Sequence, residues 1–93
     1  MIKGTTTSGF KFELDERIAS DYRLLQAITV AEDEKASDIA KLKASFDIIE
    51  FMLGSQKDAF IEHVKATNDG FVPFAVVRDE ISEMMTASDK VKN

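Results

Sequence analysis

The sequence predicts an α+β fold in which an N-terminal two-stranded antiparallel hairpin is followed by a bundle of three to four helices. Residues 10–14 read FKFEL, so large apolar side chains alternate with charged ones, as in a strand buried on one face. A glycine-bearing turn precedes this segment. Beyond Asp15 the apolar residues recur at the three- and four-residue spacing of amphipathic helices.

The hairpin is predicted to pair Ile2–Thr6 with Phe10–Leu14 through a turn at Ser8-Gly9, where glycine can adopt positive φ. A lone hairpin is marginal in water and has two unpaired edges, so it must pack on the helices and its edges must be covered or used. The alternation assigns five side chains: Phe10, Phe12 and Leu14 face the helices, while Lys11 and Glu13 face solvent.

The first helix begins near Asp15 or Ser20, since both residue types can cap a helix and the sequence does not choose between them. Its predicted apolar stripe contains Ile18, Tyr22, Leu25 and Ile28, widened by Leu24 and Ala27. Residues 31–37 are charged and have no large apolar side chain, which predicts a solvated connection.

The second helix is predicted over Asp38–Leu53, ended by Gly54. Its main apolar face contains Ile39, Leu42, Phe46, Ile49 and Leu53. We expect Leu42, Phe46 and Ile49 to be among the most buried residues. A buried Phe46 ring predicts a loss of about 3–5 kcal/mol for Phe46→Ala.

Residues 55–58 read SQKD, the form of a capping box with Asp in the last position, and predict the start of a third helix. That helix carries Phe60, Ile61 and Val64. It ends at NDG, residues 68–70, where Asn68 or Gly70 can be left-handed.

Pro73 suits the first turn of a fourth helix. This helix carries Phe74, Val77, Ile81 and either Met84 or Met85 in its apolar face. The whole chain is predicted to be a single domain, with a hairpin at 1–14, a helical part at 15–87 and a polar tail at 88–93 that frays.

Composition excludes several classes of function. The 93 residues include 17 acidic and 12 basic ones, for a net charge of −5, which argues against a nucleic-acid partner because phosphate binding needs a basic surface. There is no cysteine, and hence neither a disulfide nor a thiolate metal site. No apolar run approaches the roughly 20 residues of a membrane span, and no signal peptide is evident, so we expect a cytoplasmic protein.

Candidate catalytic and metal-binding residues are few. His63 is the single histidine, and no second histidine or cysteine could complete a site with it, so it is interpreted as a surface or rim residue. Glu32, Asp33 and Glu34 lack the glycine and distal glutamate of an EF-hand loop and are interpreted as a solvated segment. We therefore predict no enzyme activity, no metal and no cofactor.

Large apolar side chains are more numerous in the second half of the chain than a small core readily accepts. Met84 and Met85 are adjacent, so they cannot both face the same core, and an exposed methionine provides an adaptable binding surface. The candidates for binding a client or a second copy are Phe51, Phe71, Phe74, Met84 and Met85.

Three stretches together resemble a known family: IKGTTTSGFKFELDE at residues 2–16, DYRLLQAI at 21–28, and NDGFVP at 68–73 before the last helix. The chain resembles the tail assembly chaperones encoded in the tail-morphogenesis modules of long-tailed phages and prophages of Gram-positive bacteria. The resemblance spans nearly the whole chain and rests on the order of these stretches, since the family has no catalytic signature.

The resemblance implies a non-enzymatic protein that binds the long, hydrophobic tape measure protein in the host cytoplasm before the tail tube polymerises around it. It also implies a homo-oligomer, possible association with a frameshift-extended form of the chain, and absence from the finished virion. Two alternatives remain: a structural tail or head–tail component retained in the virion, and an acidic regulatory protein that mimics DNA.

Overall fold

The computed structural model describes residues 1–92, with side chains for residues 1–87, and confirms the α+β prediction. The elements in chain order are β1 (Ile2–Thr5), β2 (Lys11–Leu14), a 3₁₀ turn (Glu16–Ser20), α1 (Tyr22–Glu32), α2 (Asp38–Leu53), a second 3₁₀ turn (Gly54–Gln56), α3 (Lys57–Thr67) and α4 (Phe74–Lys92). The predicted fraying of residues 88–93 lies outside the described side chains and stays a prediction.

The hairpin closes through a three-residue loop. The Gly9 N–H donates to the Thr6 carbonyl at 2.9 Å, and the Thr6 N–H donates to the Phe10 carbonyl at 2.9 Å. Gly9 has φ +99°, the conformation that completes a type I turn followed by a one-residue bulge. This loop fixes the antiparallel register, in which Gly4 lies opposite Phe12.

The inner face of the hairpin is buried, as the alternation predicts. Phe12 is 4% exposed, Phe10 and Leu14 are also buried, and Lys11 and Glu13 are exposed. Gly4 is required under the Phe12 ring, because a Cβ at Gly4 would lie 2.6 Å from the Phe12 Cζ. The hairpin is therefore held by its apolar face and seals one side of the helical core.

Two aspartates begin the helical part. Asp15 accepts a hydrogen bond from the Arg17 N–H and caps the first 3₁₀ turn, while Asp21 accepts one from the Arg23 N–H and caps α1. Ser20 caps neither of these two elements. The predicted apolar stripe is partly wrong: Leu24 and Ala27 are buried, and Ile18 and Ile28 pack against the core, but Tyr22 and Leu25 are exposed.

α2 has the predicted bounds, with Ser37 as its N-cap and Gly54, at φ +53°, as its C-cap. Its predicted face is partly wrong, because Leu42 and Phe46 are exposed and of the three residues expected in the core only Ile49 is buried. α1 and α2 form the most extensive helix pair, with the small side chains of Ala27 and Ala44 buried. Alanines allow two helices to approach closely, so α2 turns that side inward.

α3 begins without the predicted capping box. Its N-cap residue is Gln56, which makes no side-chain capping bond, and Ser55 lies exposed in the preceding 3₁₀ turn. Phe60 and Val64 are fully buried. The helix ends at Asn68, and the left-handed residues are Asp69 (φ +56°) and Gly70 (φ +79°), so the alternative at Asn68 is wrong.

Pro73 immediately precedes α4, and its carbonyl accepts hydrogen bonds from the N–H groups of Val76 and Val77. Val77, Ile81 and Met84 face inward from α4 and close the core beneath the hairpin. None of the helices in the described part of the chain combines the length and the apolarity needed to cross a membrane.

Candidate docking surface

α2 has apolar side chains on two sides, and the core uses only one of them. Ile39 is 81% exposed and Phe46 is 53% exposed, with Leu42 between them along the helix. Residues spaced three and four apart lie on one helical face, so these three side chains form a continuous stripe. An exposed stripe of this kind on a small domain marks an interaction site or one wall of a groove.

The stripe borders a groove between α2, α3 and the beginning of α4. The groove has a volume of about 540 Å³, and its lining is mostly apolar: Leu42, Phe46, Ile49, Ile61, Val72, Phe74 and Val77, with Glu50 and Lys57 at the rim. Glu50 and Lys57 form an ion pair that joins α2 to α3. A groove with an apolar lining and a charged rim suits the apolar face of a helix.

Two phenylalanines form the ridge beside this groove. The Phe46 and Phe74 rings meet edge to face, with their centroids 6.2 Å apart and an interplanar angle of 66°. Beyond Phe74 lies a second pocket of about 250 Å³ between α1, α2 and α4, and Met85 is among its lining residues. Phe74 and Ile49 line both cavities, so the groove and the pocket are neighbouring parts of one surface.

The five predicted docking residues lie in different places. Phe74 lines both the groove and the second pocket, and Met85 lines only the second pocket. Phe71 is exposed in the loop before α4. Phe51 is half-buried in a different crevice, between α1 and α2, where the Arg23 guanidinium lies 5.4 Å from its ring centroid. Met84 is fully buried, so it belongs to the core and cannot contact a partner in this fold.

Sequence reasoning missed Leu42 and Phe46, which contribute most to the exposed wall of the groove. Their three- and four-residue spacing and large size predict a core face, whereas the core in fact uses the side of α2 that carries the smaller alanines. The signal that could have found them is the excess of apolar residues on α2, which exceeds one helical face, together with Ala40 and Ala44 on the opposite side. Because α1 packs on the side of α2 that carries the alanines, Leu42 and Phe46 on the other side are left exposed.

A polar cluster joins the hairpin loop to α3 and α4, and no local pattern of residues indicates it. The Ser8 Oγ donates to the Glu80 Oε1 at 2.6 Å and lies 3.0 Å from the His63 Nε2. Glu83, one turn further along α4, accepts from both the N–H and the hydroxyl of Thr7, at 2.9 and 2.6 Å. His63 is thus half-buried at the hairpin loop, with its ring centroid 5.6 Å from that of Phe10.

The order of hydrogen bonds in this cluster is wrong for nucleophilic catalysis. A serine hydroxyl has one proton, and when Ser8 donates it to Glu80 the contact with His63 requires the tautomer or charged form that has a proton on Nε2. A histidine acting as base would have to accept that proton from serine. The cluster therefore positions the hairpin loop on the helices and does not activate Ser8.

Glu80 is only 4% exposed, and its Oε2 has no hydrogen-bond partner among the described residues. Within residues 1–87, no three side chains of histidine, cysteine, aspartate or glutamate converge as they would around a metal ion. The acidic residues Glu32, Asp33 and Glu34 are exposed at the end of α1 and in the following connection.

Ion pairs place several of the surface acids beside basic groups. The Arg17 side chain lowers the pKa of Asp15 from 3.8 to about 2, and the Arg23 side chain does the same for Asp21. At the groove rim the Glu50 carboxylate raises the pKa of Lys57 by hydrogen bonding to it. Other pairs join Lys43 to Asp47 and Lys3 to Glu13.

The surface that this geometry singles out is an apolar groove without a convergent set of polar groups. Comparisons with protein-family models, with curated proteins and with solved structures found no match for this chain. The assignment of a function therefore starts from the residues of the groove.

Proposed function

We propose that this chain is a tail assembly chaperone that binds the tape measure protein in the host cytoplasm and performs no catalysis. The observation that carries the proposal is the groove walled by Leu42, Phe46 and Phe74, which exposes large apolar side chains beside a well-filled core. The resemblance in residues 2–16, 21–28 and 68–73 supplies the class of client.

The groove suits one kind of client segment. A tape measure protein is long and hydrophobic, and an amphipathic helix of such a protein would place its apolar face between α2 and α4. The Phe46–Phe74 ridge contributes aromatic contact area, and Met85 in the adjoining pocket can adapt to irregular side chains. Repeated copies of the chaperone, associated with each other and possibly with a frameshift-extended form, would cover a long client.

A DNA mimic needs a row of unpaired carboxylates along one face, and four acidic residues of this surface are instead paired with basic ones. A basic side chain lies within 3.1 Å of each of these four residues: Asp15, Asp21, Asp47 and Glu50.

The other alternative, a structural tail component, would remain in the finished virion. The chaperone proposal instead expects this chain to be missing from purified particles.

The test is co-expression of the tape measure protein with wild-type chain, with Phe46→Glu or with Tyr22→Glu. Tyr22 is the matched control because it is an exposed aromatic residue on α1, outside the groove. Both substitutions introduce a good helix former at a solvent-accessible position. We expect wild type and Tyr22→Glu to keep the tape measure protein soluble and to co-purify with it, and Phe46→Glu to lose both.

Circular dichroism must show that both variants keep the wild-type helix content. Tape measure protein that stays equally soluble without this chain, or that binds Phe46→Glu as well as it binds wild type, would contradict the proposal.

A further inference from the structure

The two edges of the hairpin differ in what covers them. Thr6 and Phe10 form the hydrogen-bonded pair next to the loop, so the following bonded pair is Gly4 and Phe12. In an antiparallel ladder the intervening residues turn their backbone N–H and C=O groups outward. These outward residues are Lys3 and Thr5 on β1, and Lys11 and Glu13 on β2.

Gln56 covers the β2 edge at Glu13, one of its two outward residues. Its side-chain Oε1 accepts from the Glu13 N–H at 2.8 Å, and its Nε2 donates to the Glu13 carbonyl at 2.7 Å. The amide makes the two bonds that one residue of a neighbouring strand would make. Gln56 belongs to the 3₁₀ turn between α2 and α3, and its amide occupies the bonding positions of Glu13 that a further strand on the β2 edge would need.

The β1 edge has no such cover. Among residues 1–87, no group outside the hairpin hydrogen-bonds the backbone of Lys3 or Thr5, and both side chains are exposed. A shallow depression of about 530 Å³ lies over this part of the hairpin, lined by residues of both strands and by Gln56. The outward backbone groups of Lys3 and Thr5 thus have no hydrogen-bond partner among residues 1–87, and an unpaired strand edge is a template for pairing.

We propose that the β1 edge is a strand-pairing surface for a second copy of this chain. The inference rests on the self-association in the proposed function and does not depend on the groove. Antiparallel pairing about a two-fold axis at Gly4 places Lys3 opposite Thr5 of the second copy, and the reverse. Lys3 of each copy then forms two backbone hydrogen bonds with Thr5 of the other copy. The resulting four bonds join the two hairpins into a four-stranded sheet.

Three features of β1 suit a second copy. The axis at Gly4 brings two residues without Cβ atoms into the closest, non-bonded pair, where backbones approach most closely. On the outer face, the Lys3 Nζ lies 3.6 Å from the Glu13 Oε1 of its own hairpin. In the proposed register, its neighbour on the other side is the neutral Thr5 of the second copy. No like charges stand opposite each other in this register, and like charges would destabilise it.

A matched pair of prolines tests the inference. Thr5 and Lys11 lie opposite each other, and each turns its N–H outward, Thr5 on the β1 edge and Lys11 on the β2 edge. Proline removes an outward donor without breaking a hairpin bond, and its ring obstructs the edge. We expect Thr5→Pro to raise the dissociation constant measured by analytical ultracentrifugation at least about tenfold, since one bond per copy is lost, and Lys11→Pro to leave it unchanged.

Substitutions that keep the backbone donor give a second reading if a proline variant fails to fold. In the proposed register, residue 5 faces Lys3 of the second copy. Thr5→Lys should therefore weaken association several-fold and Thr5→Glu should strengthen it, with both effects reduced at high salt. The melting temperature of each variant at low concentration separates these effects from changes in the stability of a single copy.

A wild-type chain that stays monomeric up to millimolar concentration would overturn the inference, as would equal weakening by Thr5→Pro and Lys11→Pro, or no effect of either. Failure of the proposed function is seen separately, in the solubility of the tape measure protein with Phe46→Glu. A chain that associates through β1 but does not bind the tape measure protein would leave this inference standing and remove the chaperone role.

Discussion

The hairpin and α2 are both rich in apolar side chains but bury them differently. The hairpin buries Phe10, Phe12 and Leu14, whereas α2 leaves Ile39, Leu42 and Phe46 exposed. A strand has two faces, and in FKFEL one is apolar and the other charged, so burial follows directly from the alternation. α2 offers apolar side chains in several directions, and the neighbouring helices decide which direction is inward. The comparison shows that a pattern determines burial only where a single apolar face exists.

Phe12→Ala tests the buried side of this comparison and has the largest expected effect. The ring is 4% exposed and covers Gly4, so its loss leaves a cavity beneath the hairpin. We expect a decrease of about 3–5 kcal/mol in the free energy of unfolding, measured by urea titration. Lys11→Ala, on the solvent side of the same strand, is the control and should change little; equal losses in the two variants would contradict the assigned faces.

Gln56→Ala tests whether the covered edge stabilises the hairpin. The substitution removes two hydrogen bonds to the Glu13 backbone, each of which contributes a modest net amount because water can replace it. We expect a loss of about 1–2 kcal/mol in the same titration. Ser55→Ala, at the neighbouring exposed position, serves as the control, and matching midpoints for wild type and Gln56→Ala would show that the amide is dispensable.

Phe46→Ala tests the exposed side of α2. Because the ring is exposed, the loss of about 3–5 kcal/mol expected for a buried ring no longer applies. Because the ring is 53% exposed, with Phe74 as its aromatic neighbour, truncation should lower the free energy of unfolding by about 1 kcal/mol or less. The same variant should bind the tape measure protein more weakly. A destabilisation as large as that of Phe12→Ala would place Phe46 back in the core.

Acid titration gives the smallest expected effect and concerns the caps before α1. The folded-state pKa of Asp21 is about 2, below its ordinary 3.8, because Arg23 hydrogen-bonds the carboxylate. A lowered folded-state pKa stabilises the fold above pH 3.8, and that contribution is lost as pH falls from 3.8 toward 2. Asp21→Asn keeps a capping oxygen but removes the charge.

Thermal melts of wild type and Asp21→Asn between pH 5 and pH 2 should therefore converge as the pH falls, with wild type the more stable at the upper end. Parallel curves across this range would mean that the Asp21–Arg23 pair does not contribute to stability.

Residues close to each boundary, chiefly glycines and caps, predicted where most helices and strands begin and end. Gly9 and Gly70 take the positive φ that their turns require, and Gly54 ends α2 where the sequence predicted. SQKD failed as a capping box because Gln56 is used elsewhere, in bonds to a strand 43 residues away. A local motif cannot reveal such competition, since the competing partner is distant in sequence.

The candidate site was predicted less well than the fold. Phe74 and Met85 were among the predicted residues and line the two cavities, but Met84 is core and Phe51 lies in another crevice. Adjacent methionines allow one side chain inward and one outward, and only the packing of α4 chose Met84 for the interior. The wall formed by Leu42 and Phe46 was assigned to the core because spacing alone cannot rank two apolar sides of one helix.

The sequence by itself determined the α+β class, the orientation of the hairpin and the bounds of α2, because alternation, glycine positions and caps act within a few residues along the chain. The tertiary structure alone decided which side of α2 became the groove, which edge of the hairpin Gln56 covers, and how Ser8, His63 and Glu80 meet. Each of these features depends on contacts between segments far apart in sequence. The local pattern permits several arrangements equally well, and close packing and the available hydrogen-bond partners select one of them.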